Sequence, residues 1–274
     1  MSHLKEKVLF YVMAALSLIF YGIGIPLLII NPVLGPFSML IGLIIAIALL
    51  IGSIFMVGML RGNSIRVDEQ QFPEVYNLVK KHAHTLGMKI VPHVYVIQSG
   101  GILNIFVKRI LRYNHVVFSS NLFDLAYQDG VDVLSFIIAH ELGHLKLNHT
   151  SSWKRFLTLP AAIFVPFIGK AYSRTCEYNA DTVGLSLCPE GAVNGFLILS
   201  IGKSLYKRVD VEYALQNFKQ NKGFATSFAE FFASHPLLFN RIDRARTVQS
   251  KLKKQDLEQT FVSPRVKIAQ KEQK

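Results

Sequence analysis

Cysteine is scarce in this chain of 274 residues. Cys176 and Cys188 are the only two, so at most one disulfide can form and no framework of the secreted kind exists. A reducing compartment is the default that follows. No Cys-x-x-Cys pair occurs, which excludes thiolate zinc fingers and thioredoxin-like redox chemistry. Acids are few as well, 18 against 30 Lys plus Arg, for a formal charge of +12. The basic residues follow no aromatic-interleaved or helix-turn-helix pattern, so nucleic acid is excluded as a partner and an anionic membrane surface explains them better. Charge of either sign is missing altogether from Val8 to Ile30 and again from Val33 to Leu60.

Each uncharged stretch exceeds the roughly 20 helical residues that cross hydrocarbon about 30 Å thick. Only a turn around Asn31 and Pro32 separates them. The first is too long for a secretory signal and lacks its cleavage site, so it is retained. Residues 1–60 therefore read as a two-span transmembrane helical hairpin. Lys5 and Lys7 precede it, Arg61 and Arg66 follow it, and the connecting turn is uncharged. The positive-inside rule then puts both ends in the cytoplasm, as in an integral protein of a bacterial inner membrane. Residues 61–250 form the catalytic domain on that side, and residues 251–274 a basic, flexible tail.

Beyond Arg61 the pattern turns to mixed helix and strand. Gln71 to Leu86 has helical apolar spacing, whereas Val94 to Ile97 and Val116 to Phe118 are β-branched or aromatic runs bounded by turn residues. Asp129 is placed to cap a helix over roughly 130–148. Phe156 to Ile168 is apolar but only 13 residues long and holds Pro160 and Pro166, too short to cross. It reads as core, with an apolar lip dipping toward the bilayer as the alternative.

His140, Glu141, Leu142, Gly143 and His144 form His-Glu-x-x-His within the helical pattern. Two histidines four residues apart project from one helix face, where both imidazoles reach one tetrahedral ion. Glu141 is offset beside them and can take a proton from the water that the ion polarises. A third ligand is needed. The metzincin solution would require Gly at 147 and His at 150, where this chain has Leu147 and Thr150. His149 lies half a turn out of phase with His140 and points away, as a surface group or one packed behind the ligands. Glu177 is the only acid between His144 and Asp181, which makes it the candidate ligand. Asp181, one helical turn further, can accept the second ring N–H of a ligand histidine.

These residues, with Ser173-Arg174 before Glu177-Tyr178-Asn179-Ala180-Asp181, Ser234-His235-Pro236 before Arg241-Ile242, and Asn104-Ile105-Phe106, make the chain resemble the membrane-anchored gluzincin peptidases. That group includes the heat-shock protease HtpX and the CAAX prenyl endopeptidases. The resemblance spans about residues 70 to 246 and implies a zincin-like (gluzincin) α+β catalytic domain, one Zn2+ per chain, and endopeptidase activity on membrane or misfolded proteins. It further implies that His235 stabilises the oxyanion, that Arg241 supports that region by ion pairing, and that Asn104 contacts the substrate. An extended substrate would pair with a strand, for which Val116 to Ser119 is the candidate. A non-catalytic zinc-binding scaffold in membrane protein quality control is the alternative. A processing enzyme for prenylated proteins would need an apolar chamber of many spans, and this chain has two.

Overall fold

The computed structural model describes residues 2–31, 33–98, 105–110, 113–128 and 130–269, with side chains as far as Lys254. Two long helices open the chain, α1 (Ser2–Ile30) and α2 (Leu34–Asn63). Asn31 makes the turn between them. Its Oδ1 accepts from the backbone N–H groups of Val33 at 3.0 Å and Leu34 at 2.9 Å, donors that a helix start leaves unpaired. Most apolar side chains of both helices are exposed. Helices this long, this apolar and this uncovered mark a membrane protein.

After them come β1 (Ile65–Val67), α3 (Pro73–Thr85), β2 (His93–Ile97), β3 (Ile105–Ile110), β4 (Tyr113–Ser119) and the short α4 (Ser120–Phe123). The remaining elements are helices: α5 (Val131–Lys146), α6 (Ser152–Phe164), α7 (Pro166–Leu187), α8 (Ala192–Ile201), α9 (Val211–Asn221), α10 (Phe224–Phe232) and α11 (Leu238–Ala269). Among the described residues, four strands form one mixed sheet in the order β1-β2-β4-β3, with β2 and β4 parallel and the outer pairs antiparallel. Helix α5 lies under it, its Leu134, Ile137 and Ile138 buried with Val116 and Phe118 of β4. On the opposite side of α5, the ring of Phe136 lies so close to Gly184 and Gly195 that an added Cβ would sit 2.7 and 2.8 Å from it. Glycine there lets α7 and α8 close on the central helix.

Several expectations change. The strand expected to receive substrate, Val116 to Ser119, is internal to the sheet, because Ile105–Ile110 pairs along its open side and becomes the edge. Helix α5 starts at Val131 behind Gly130, which makes no side-chain cap, and Asp129 lies outside the described residues. Phe156 to Ile168 is not core: Phe156 is 66% exposed, Ile163 62% and Phe164 65%, because only the opposite face, at Thr158 and Ala161, is covered. From Lys251 the backbone continues as helix through Ala269, since Lys, Gln and Leu favour helix and the packed turns around Ile242 and Ala245 nucleate it. Both cysteines are free.

Helix α6 keeps its course past Pro160 with help from α1. Proline has no N–H to donate to the carbonyl of Phe156, and Tyr21 Oη of α1 donates to that oxygen instead, at 2.7 Å. One residue on, the N–H of Ala161 donates to Ser17 Oγ at 3.0 Å.

Candidate metal centre

The centre lies where α5 meets α7. Gly143 faces α7, and a Cβ there would be 3.0 Å from Val183 Cβ and 3.3 Å from Ala180 Cα. The missing side chain lets the two helix backbones approach, which brings Glu177 to the histidines. His140 Nε2 and His144 Nε2 are 3.3 Å apart. Glu177 offers Oε1 at 3.5 Å from His144 Nε2 and Oε2 at 3.6 Å from His140 Nε2.

Those spacings test the donor set. A tetrahedral zinc with ligand bonds of about 2.0–2.2 Å separates its ligands by about 3.3–3.6 Å. Two imidazole nitrogens facing each other with a carboxylate closing the triangle match that edge length, and their chemistry, two nitrogens and one oxygen, suits zinc. The residues present fit the ion.

Around the triangle, opposed effects set the charges. Burial would raise the pKa of Glu177, yet the hydrogen bond from His235 and the positive neighbours His140, His144 and Arg241 hold it at about 2. Burial, with the charge of His140 beside it, pulls His144 down to about 3. Glu141 goes the other way: burial pushes it up to about 7, reinforced by the charge of Glu177 and opposed by His140, Arg241 and His235. It lines the same cleft of about 420 Å³ as the three candidate ligands.

A second layer orients the first. Asp181 is 1% exposed and sits with Oδ1 3.0 Å from His140 Nδ1, close enough to pair yet off the line of a well-aligned hydrogen bond. Arg241 clamps the same carboxylate from the other side, Nε to Oδ2 at 2.9 Å and Nη2 to Oδ1 at 2.6 Å, while its Nη2 is 3.6 Å from Glu177. Burial would raise Asp181, but Arg241 and His140 outweigh it and keep the group ionised. His235 places Nδ1 3.4 Å from Glu177 Oε1, with its side chain 68% exposed at the mouth of the cleft. Asn104 lies outside the described residues, but its neighbours Ile105, Phe106 and Val107 line the cleft.

His149 takes the second of its two expected places, packed behind the ligands. The phase argument holds in that it does not join the triangle, yet its side chain is 5% exposed and is no surface group. Helix α5 ends at Lys146 and the chain bends back through Asn148 at φ 57°, which returns His149 to the ligand side. Its Nδ1 is 2.9 Å from His144 Nδ1, and its Nε2 is 3.2 Å from Glu6 Oε1 on α1. Asn179 donates to the other oxygen of Glu6.

Glu6 and Arg174 have no role in the sequence reading. Glu6 sits between Lys5 and Lys7 and is hidden in a basic flank, although an acid entering a membrane helix is itself a signal of function. Arg174 donates to the carbonyls of Phe231 at 3.1 Å and Ala233 at 2.6 Å, fixing the segment that leads to His235.

The profile of Peptidase family M48 matches residues 69–155 and 150–249, from just after β1 to about a third of the way along α11. The chain belongs to peptidase family M48. M48 members are zinc-dependent, and the match contains every residue of the centre except Glu6. The expected α+β catalytic domain behind two apolar helices is the M48 arrangement found here, mostly helical with one small mixed sheet. Among solved structures the chain is similar to the crystal structure of S. mikatae Ste24p, with 15% identity and a TM-score of 0.44. That similarity covers 85% of this chain and 65% of that one.

Proposed function

We propose that this chain is a zinc-dependent endopeptidase that hydrolyses peptide bonds of membrane or misfolded proteins at the cytoplasmic face of a bacterial inner membrane. The observation that carries the reading is the convergence of His140, His144 and Glu177: the two Nε2 atoms are 3.3 Å apart, and the Glu177 carboxylate sets one oxygen 3.5 Å from His144 and the other 3.6 Å from His140. These residues would hold one zinc ion per chain, which would supply Lewis-acid chemistry for activating water and polarising the scissile carbonyl. Glu141 accepts the proton of the attacking water at its carboxylate and delivers it to the leaving amine. Its affinity for protons near neutrality suits both steps. His235 donates to the carbonyl oxygen as negative charge develops there.

Positioning falls to the second layer. Asp181, held by Arg241, turns the Nδ1 side of His140 toward itself and leaves Nε2 for the ion. For His144 to offer Nε2 as a ligand, donors must run in one direction. Its Nδ1–H donates to His149 Nδ1, and the Nε2–H of His149 donates to Glu6, which as a carboxylate only accepts. An extended substrate adds to the edge strand β3 by main-chain hydrogen bonds, beside Asn104 and over Phe106. Lys5, Lys7, Arg61 and Arg66 support the cytoplasmic orientation, with residues 1–60 as anchor and 61–250 as the catalytic unit.

The test is Glu141→Gln in lipid. That variant keeps stoichiometric zinc and loses cleavage of casein, and unchanged turnover would remove Glu141 from the reaction.

A further inference from the structure

We propose that α6 and the first turn of α7 form a re-entrant hairpin, whose outer face of Phe156, Leu159, Ile163, Phe164 and Phe167 lies in bilayer hydrocarbon beside α1. The inference takes α1 as a membrane span and is independent of the catalytic reading.

Depth comes from register along α1. Trp153 packs on Phe10 with ring centroids 6.2 Å apart, Ala161 bonds to Ser17, and Phe164 stacks on Phe20 at 4.7 Å. The two helices thus run parallel. Ten residues of α1 at 1.5 Å each carry Phe164 about 15 Å further along the span than Trp153, roughly half the thickness of a hydrocarbon core. Helix α7 then returns: Gly169 lies against Met13, and the ring of Tyr172 is 6.3 Å from Phe10.

Chemistry agrees with that depth. Residues 156–169 contain no charged side chain, and the stretch is bracketed by Lys154 and Arg155 before it and Lys170 after it. Phe156, Leu159 and Ile163 recur at helical spacing on one exposed face, while Thr158 and Ala161 are buried and Ala161 bonds to Ser17 of α1. The carbonyl freed by Pro160 and the N–H of Ala161 are both capped by hydroxyls of α1. In water those groups need no protein partner. In hydrocarbon each would cost several kcal/mol unpaired, so their capping is the rule there. The apolar surface continues onto α10, where Phe231 stacks on Phe167 at 5.8 Å and Lys170 turns its ammonium toward the ring of Phe232. The occupant follows by continuity: whatever surrounds Phe20 of the span also surrounds Phe164, stacked on it.

Trp153 is the only tryptophan in the chain, which permits a direct depth measurement. The full chain is placed in phosphatidylcholine vesicles carrying bromine either near the headgroup or deep in the acyl chain. Trp153 in the unaltered protein is the shallow reference, quenched more by bromine near the headgroup. In Trp153→Phe with Phe164→Trp, emission shifts to the blue, deep bromine quenches more than shallow, and aqueous iodide has no effect. Trp153→Phe with Ile163→Trp repeats the measurement, and far-UV circular dichroism with an unchanged melting temperature reports that each variant is folded. Quenching of position 164 by iodide overturns the proposal. So does a tryptophan insensitive to iodide and to both lipids, which would mean that protein, such as a second copy of the chain, covers the face.

Discussion

His149 bridges the membrane anchor and the metal centre, with Nδ1 2.9 Å from His144 Nδ1 and Nε2 3.2 Å from Glu6 Oε1. Replacing it by Phe keeps the volume and removes both bonds. Partners that orient a metal-bound imidazole are worth about 10–100-fold in metal affinity, and His149→Phe is expected to weaken zinc by that factor. Glu6→Gln loses part of the same factor, because an amide oxygen still accepts. Chelator competition measures both. Casein cleavage by His149→Phe returns at high zinc, and failure to recover would mean that the residue does more than position the ligand.

Gly143→Ala tests the close approach of α5 and α7. The new methyl meets Val183 at 3.0 Å, and overpacking of this kind costs about 1–3 kcal/mol. Because Glu177 rides on α7, zinc binding falls along with stability. Adding Val183→Ala removes the colliding group and restores both. A double variant as defective as Gly143→Ala alone would show that the glycine is needed for another reason.

Asp181→Asn takes the bidentate carboxylate from Arg241 and leaves its charge to Glu177 alone, at 3.6 Å. Breaking a buried ion pair from one side costs about 3–5 kcal/mol, and the melting temperature of the metal-free protein drops accordingly. Zinc affinity falls too, since His140 loses the group that fixes its ring. A melting temperature within a degree or so of the parent would argue that the pair contributes orientation and little stability.

Phe106 is 40% exposed on the edge strand and borders the cleft. If a peptide lies along β3, Phe106→Ala removes contact made equally to substrate and transition state, raising KM several-fold with kcat unchanged. A fall in kcat at constant KM would move the residue into the reacting geometry instead.

Much of the centre is legible from residue order, for a physical reason. His140, His144, Glu177 and Asp181 each repeat within one turn of a regular helix, so spacing alone predicts which side chains share a face. That the two helices meet at Gly143 emerges only from their packing. What spacing cannot carry is the return of His149. It depends on a single left-handed residue, Asn148, after the helix has ended, and on an acid 143 positions away. Strand β3 escapes for a related reason: Lys108 and Arg109 interrupt its apolar alternation, and only pairing with β4 reveals it. The exposed face of α6 reads as core because aromatic and aliphatic residues look the same whether protein or lipid covers them.

The contact between Glu6 and His149 also bears on how the protein can be handled. A trimmed version starting after Arg61 would keep the whole His-Glu-x-x-His helix and Glu177, but it would lack the carboxylate that completes the chain of donors to His144. It would also lack the two hydroxyls that quiet the backbone at Pro160. Solubility gained by that cut would come with a slack ligand and a frayed helix, so the anchor is a working part of the enzyme and not merely its mooring.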